Sequence, residues 1–201
     1  MPRLPLPTLA DGRAPVISSG FGPRKGTPPH KGADLTYRAL PTDPPYKGHY
    51  TAMRSREFFS PPVLPVVATE DGEVVQAGIK RGIGGDVWLH HKASGRVTRY
   101  AHLSRVAVKV GQQVTQGQPL GIWGAGHGTP FIHLHFELLT AGKKDSQEDP
   151  APYLASADAG PAGEAGSSAS SAASSATTRA TTRGGLAWLL ILIGALVSTR
   201  S

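Results

Sequence analysis

An all-β fold is the class this sequence predicts, and three observations predict it. Short Val- and Ile-rich runs recur along the chain, 25 glycines and 18 prolines punctuate it, and stretches of helical period are scarce. The runs that read as strands are 63–68, 72–77, 86–91, 96–102, 106–110, 119–123 and 132–139. The turns between them carry their own chemistry: Glu70-Asp71-Gly72, Ala93-Ser94-Gly95 and Gly111-Gln112-Gln113. The last five runs follow one another closely, the spacing of an antiparallel meander.

The 201 residues suit one domain of ordinary size with appendages. Residues 1–15 are Pro-rich and contain no apolar stretch of the kind a secretory signal peptide needs. The compact β domain is expected over 16–154. Within it, 38–62 is a long insertion with several prolines and aromatics and no clear period. A segment of that length is either a lid or groove wall, or an excursion without structure of its own. Composition changes abruptly after Leu154: 155–185 is a Ser/Ala/Thr/Gly-rich linker without core-forming residues. As a flexible chain its roughly thirty residues span about 30 Å. The twelve apolar residues 186–197 follow, short of the ~20 that span a bilayer comfortably. They are expected to serve as a membrane-associating tail, a hydrophobic partner-binding tail, or a helix packed on the domain.

No cysteine is present, which removes disulfides, thiolate zinc sites and a cysteine nucleophile. The net charge is +7. Most of it lies in 1–154, where 18 Lys and Arg face 12 Asp and Glu. A basic surface suits nucleic acid, membrane or an anionic cell-wall polymer, or is simply a solvated face. The chain has no basic helix, zinc finger or aromatic RNA-binding signature, so no nucleic acid is expected as a partner.

All eight histidines lie between His30 and His135, which marks the chemical part of the chain. In the run Phe131-Ile132-His133-Leu134-His135-Phe136-Glu137-Leu138, residues two apart share a face of a strand. His133 and His135 therefore point to one side, and Leu134 and Phe136 to the core. Two imidazoles side by side suit a metal site in which one ligates and the other handles a proton. Upstream, His30 and Asp34 would lie about 13 Å apart in a regular strand, too far to share an ion. Pro28-Pro29 and Gly32 disfavour a helix. The pair is plausible if the chain bends at Gly32 and Asp34 opens a strand. Three N/O ligands with an open position is the layout of a catalytic zinc rather than a structural one.

Each motif alone is a weak or moderate signal, but their ordered context is specific. Ser19-Gly20-Phe21-Gly22-Pro23-Arg24 precedes His30-Lys31-Gly32-Ala33-Asp34. Asp71-Gly72-Glu73-Val74-Val75 and Arg99-Tyr100-Ala101-His102-Leu103 follow. Gly111-Gln112-Gln113-Val114, Gly117-Gln118-Pro119-Leu120-Gly121 and His133-Leu134-His135-Phe136-Glu137 complete the series. Over about residues 18–154 this set resembles the lysostaphin-type or LytM-type zinc metalloendopeptidases, metallopeptidase family twenty-three. The resemblance implies an antiparallel half-barrel sheet of the duplicated hybrid-motif type with an open groove. It also implies hydrolysis of peptide cross-links in bacterial peptidoglycan. It makes His30, Asp34 and His135 the ligands of one zinc ion per chain. It makes His102 and His133 the two active-site histidines that do not ligate.

The Gly124–Ile132 approach departs from the family's usual Gly/Ser/Thr-rich loop, and the 38–62 insertion is long for it. His49 is read as a possible blocking ligand less readily than as a loop residue. His90, His91 and His127 are read as ordinary core, surface or loop histidines. The Gly111–Gly121 run also resembles biotinyl and lipoyl carriers, but lacks their Met-Lys hairpin tip. The rival functional reading is a non-catalytic wall-binding or amidase-activating module, which loss of a ligand would favour. A structural component of a phage or envelope is a third. The expected location is the cell envelope, or the wall reached by a phage. Arg179 and Arg183 before the apolar run outnumber Arg200 after it, which by the positive-inside rule puts the β domain in the cytoplasm. A phage lysis or virion enzyme would reconcile that with a substrate outside. Alternatively, the linker, Gly184-Gly185, the apolar run 186–197 and the terminal Arg resemble a cleavable C-terminal sorting tail of Gram-negative envelope proteins, a reading that needs an export signal upstream of Met1.

Overall fold

The computed structural model describes residues 1–43, 57–61, 63–125, 131–143 and 145–158. Its strands in chain order are β1 (Val16–Ser19), β2 (Gly22–Arg24), β3 (Thr27–His30), β4 (Ala33–Arg38), β5 (Phe58–Phe59), β6 (Pro65–Val67) and β7 (Gly72–Lys80). There follow β8 (Gly84–His91), β9 (Arg96–Val106), β10 (Gln113–Val114), β11 (Pro119–Trp123), β12 (Leu134–Thr140), β13 (Gln147–Glu148) and one short helix, α1 (Ala151–Ala155). The fold is all-β and mostly antiparallel, as the Val/Ile runs and turn residues predict.

One large sheet has the order β1-β4-β12-β9-β8-β7-β10, with β11 joining β6 to β9. The β8–β9 hairpin turns at Gly95, whose φ of +66° a residue with a Cβ rarely adopts. The inner face is apolar: Leu134, Phe136 and Leu138 of β12 pack with Leu35, Tyr37, Val87, Leu89 and Tyr100 of its neighbours. Tyr100 meets Phe136 edge-on at 5.4 Å between ring centres. The opposite face of β12 carries His135 and Glu137, as the period of two requires.

Three expectations are corrected. The last strands do not form a meander, because β12 pairs with β9 on one side and β4 on the other instead of lying beside β11. The expected strand over 106–110 is absent. Val106 closes the eleven-residue β9, and the chain then turns at Gly111 (φ +84°) with Val110 exposed. β1, β2, β3 and β5 were not expected. They are two to four residues long, and β3 contains Pro28-Pro29, tolerated because it pairs on one side only.

The Pro-rich start of the chain is tied to the sheet. Arg3 N–H donates to the Thr69 carbonyl, Val67 N–H donates to the Pro5 carbonyl, and the Tyr37 hydroxyl donates to the Pro7 carbonyl. Leu6 is fully buried in the core. Leu6→Ala is therefore expected to lower stability by about 2–5 kcal/mol, the cost of a large-to-small change in a packed core. A denaturant titration monitored by tryptophan fluorescence would read this. No helix among the described residues is long and apolar enough to cross a membrane. The linker beyond residue 158 and the apolar run 186–197 lie outside the described residues.

Candidate metal centre

Strand register builds the site. β12 lies antiparallel to β4 with His135 opposite Asp34, and to β9 with His135 opposite Ala101. The chain leaves β3 at His30 and enters β4 at Ala33, so His30 reaches the same end of the sheet. The bend at Gly32 is present, but for a different reason than turn geometry. A Cβ on Gly32 would lie 2.3 Å from the Phe136 carbonyl oxygen and 2.9 Å from Glu137 Cγ. Glycine is needed there because β12 passes directly over the backbone.

His30, Asp34 and His135 converge. His30 Nε2 lies 3.0 Å from His135 Nδ1 and 3.1 Å from Asp34 Oδ1, and His135 Nδ1 lies 3.0 Å from Asp34 Oδ1. The outer nitrogens identify the tautomers. His30 Nδ1–H donates to the Gly20 carbonyl at 2.7 Å, an oxygen that can only accept. His135 Nε2–H donates to Glu137 Oε1 at 3.1 Å. With the outer protons so engaged, rings carrying a single proton turn the lone pairs of their inner nitrogens to each other and to a carboxylate oxygen. Such a triangle is repulsive by itself and suited to a cation. A tetrahedral zinc with bonds of ~2.0–2.1 Å separates its ligand atoms by about 3.3 Å, close to the observed edges. The donor set fits the ion.

His102 and His133 stand beside this triangle. Their rings are 4.8 Å apart, His102 is 5.6 Å from the His135 ring, and His133 Nε2 is 3.6 Å from Asp34 Oδ1. His102 Nδ1–H donates to the Ile83 carbonyl at 2.8 Å, and His133 Nδ1–H to the Phe131 carbonyl at 3.0 Å. Both therefore offer Nε2 as an acceptor. His102 also holds a φ of +67°, sparsely populated for a residue with a Cβ. Such strain persists where the surroundings over-determine it, and it clusters at active sites.

Burial pushes the His102 pKa down to about 4, against a smaller upward pull from its bond to Ile83. Burial likewise lowers His133, despite the nearby Asp34. Both rings are neutral at pH 7. Burial works to raise Asp34, but the His135 and His30 contacts prevail and hold its carboxyl far below the usual range. Burial lowers His135, while Asp34 and Glu137 overcome it and raise the net value.

These shifts predict acid sensitivity of the metal-free chain. An unfolded histidine takes up its proton near pH 6.5, whereas folded His102 does so only near 4, so stability falls as pH drops between those values. His91 and His133 are lowered too and act in the same direction. Asp34, Asp86 and Glu137 have lowered pKa values and lose stability at still lower pH, as they protonate. His135, being raised, opposes the trend with a contribution lost as pH rises. The net expectation is a lower thermal midpoint at pH 5 than at pH 7, with His102 alone contributing on the order of 2 kcal/mol over that interval. Thermal scans of the chelator-treated chain at the two pH values check it.

The remaining histidines separate from the site. His91 is buried between the Asp71 carbonyl and Thr98 Oγ1, a core histidine with both nitrogens satisfied. His90 pairs across β7 with Glu73, away from the triangle. His49 and His127 lie outside the described residues, as do 44–56 of the insertion. The described ends of that insertion are anchored near the site. Arg13 grips the Asp43 carboxylate at 2.7 and 2.8 Å, β5 pairs with β4, and Ser60 Oγ donates to the Ile132 carbonyl.

Sequence reasoning assigned no role to Arg24 or Glu137. Arg24 donates to Asp34 Oδ2 at 3.2 Å, and Glu137 holds the outer nitrogen of His135. The signal for Glu137 was available, since it follows His135 by two on the same strand face.

Comparison with known proteins agrees with this geometry. Residues 53–148 match Peptidase family M23. The cell division protein DipM of Caulobacter vibrioides is 42% identical over 98 residues, 47% of this chain and 16% of DipM. The glycyl-glycine endopeptidase ALE-1 of Staphylococcus capitis is 36% identical over 106 residues, 52% of this chain and 29% of ALE-1. The chain thus spans less than a third of the length of these relatives. The catalytic domain of lysostaphin from Staphylococcus simulans superposes with a TM-score of 0.54 at 27% identity, over 73% of this chain and 95% of that domain. The shared sheet, the matched segment with its His102, His133 and His135, and these relatives make the chain similar to peptidase family M23, with lysostaphin and the LytM-type proteins among its likenesses.

Proposed function

We propose that the chain is a zinc-dependent endopeptidase that hydrolyses peptide cross-links of bacterial peptidoglycan. The observation that carries this reading is the triangle of His30 Nε2, Asp34 Oδ1 and His135 Nδ1, edged by two neutral histidines that each present an open Nε2. The family is zinc-dependent, and its members related to this chain include peptidoglycan endopeptidases. All five of the residues that the chemistry needs are present and adjacent.

His30, Asp34 and His135 would hold the ion, which when bound supplies a Lewis acid for the scissile carbonyl and brings the pKa of a water toward ~7. The chain's own residues handle the protons. His102 and His133, neutral and with Nδ1–H occupied, accept at Nε2, so either can take the proton of the attacking water. The imidazolium so formed becomes a donor, able to steady the developing oxyanion and then to protonate the leaving amine nitrogen. Asp34 stays ionised throughout and keeps the charge around the two rings favourable to that transient cation. We place the catalytic unit within 16–154 and the site of action at the cell envelope, with the segment 186–197 as a tail that could associate with a membrane.

Incubating the full chain with purified peptidoglycan, with zinc and with chelator, tests this. Release of peptide fragments bearing new amino termini supports the endopeptidase, and the fragments identify the bond. Binding without release, by a folded and zinc-loaded chain, would assign it instead to the wall-binding or amidase-activating class.

A further inference from the structure

Behind His135 a chain of buried charges runs across three strands. Glu137 of β12 sits opposite Arg99 of β9, which sits opposite Trp88 of β8. Glu137 and Asp86 are 1% and 0% exposed. Arg99 bridges them: its Nε donates to Asp86 Oδ1 at 2.7 Å, its Nη2 to Asp86 Oδ2 at 3.4 Å and its Nη1 to Glu137 Oε1. Lys80, Gln76 and Trp88 complete the shell of Asp86. Glu137 Oε2 accepts from Gln147 Nε2 at 3.3 Å, and Glu137 Oε1 accepts the Nε2–H of His135.

Burying two carboxylates and a guanidinium is not an efficient way to stabilise a sheet. An apolar cluster of the same volume is often as stable or more so. What the charged arrangement supplies, and an apolar one would not, is an acceptor fixed against the outer nitrogen of His135. The space for it is made by Gly32, where any Cβ would press on Glu137 Cγ at 2.9 Å.

We infer that Glu137 is a positioning residue for His135, fixing its proton on Nε2 and its ring plane so that Nδ1 faces His30 and Asp34, with Arg99 and Asp86 holding Glu137 in place. The inference rests on the zinc reading above. Partners of this kind hold a ligand's tautomer and orientation, and losing one weakens metal affinity about 10- to 100-fold.

The test is zinc affinity of the full chain, by competition with a chromophoric chelator, alongside the thermal midpoint of each metal-free variant. Glu137→Leu is expected to bind zinc about 10- to 100-fold more weakly. Glu137→Gln, which keeps an acceptor oxygen for both His135 and Arg99, is expected to recover most of that loss. A wild-type chain that binds no zinc would defeat the zinc reading itself. A wild type that binds zinc, with a folded Glu137→Leu binding equally tightly, would overturn only this inference. Should Glu137→Leu not fold, nitrogen-15 spectra of the imidazoles in the zinc-loaded wild type decide: a proton on His135 Nε2 is expected, and a proton on Nδ1 overturns the assignment.

Discussion

His135→Ala is expected to abolish zinc binding at stoichiometric metal and to reduce peptide-bond cleavage at least about a thousandfold. The side chain supplies one of three converging atoms, and it sits at the centre of the arrangement, 3.0 Å from both His30 Nε2 and Asp34 Oδ1. Removing it leaves two ligands, below the three protein ligands of catalytic zinc sites. The Lewis-acid contribution is several kcal/mol, and ~4 kcal/mol corresponds to about a thousandfold in rate. The fold should survive, because β12 is anchored by Leu134, Phe136 and Leu138 on the opposite face. His90→Ala, which alters a histidine remote from the triangle, should leave both zinc binding and cleavage unchanged. Metal analysis after gel filtration and a cleavage assay on a cross-linked peptide read the two effects.

His102 and His133 should separate binding from chemistry. Neither has a nitrogen in the triangle, so variants at either position should retain one zinc per chain. Among the described residues these two rings are the neutral, buried groups beside the triangle that are open at Nε2, and general acid–base catalysis is worth about 10²–10⁴-fold. At position 102 the backbone requires care. A φ of +67° disfavours alanine, whereas asparagine enters that region several-fold more readily. His102→Asn is thus the variant of choice, with kcat expected to fall about 10²–10⁴-fold while the zinc content holds. His133→Ala should fall within the same range. If both variants cleave at the wild-type rate while loaded with zinc, the proton-transfer roles are wrong.

Much of the site was legible because strand chemistry is local. The alternation from Phe131 to Leu138 places His133 and His135 on one face, and the buried Leu134 and Phe136 lie on the other. Pro28-Pro29 and Gly32 disfavour a helix between His30 and Asp34, and the chain bends between β3 and β4. What could not be read was non-local. The pairing of β12 with β4 across about a hundred residues sets His135 against Asp34, and no local pattern encodes it. The same register decides that Arg99 meets Glu137. The N-terminal segment was opaque for a different reason. Its prolines lack the donors of a regular strand, yet Leu6 enters the core and the Pro5 and Pro7 carbonyls are used from outside the segment. The Val-rich stretch 106–110 has strand composition, but Gly111 turns the chain before a second pairing can form.

The most direct measurement is peptide release from purified peptidoglycan as zinc is added back to the chelated chain. The account predicts no release without metal, a rise that breaks at one equivalent, and no rise for His135→Ala at the same zinc. Equal release from the fully chelated chain, or none from a folded chain carrying one zinc, would contradict it.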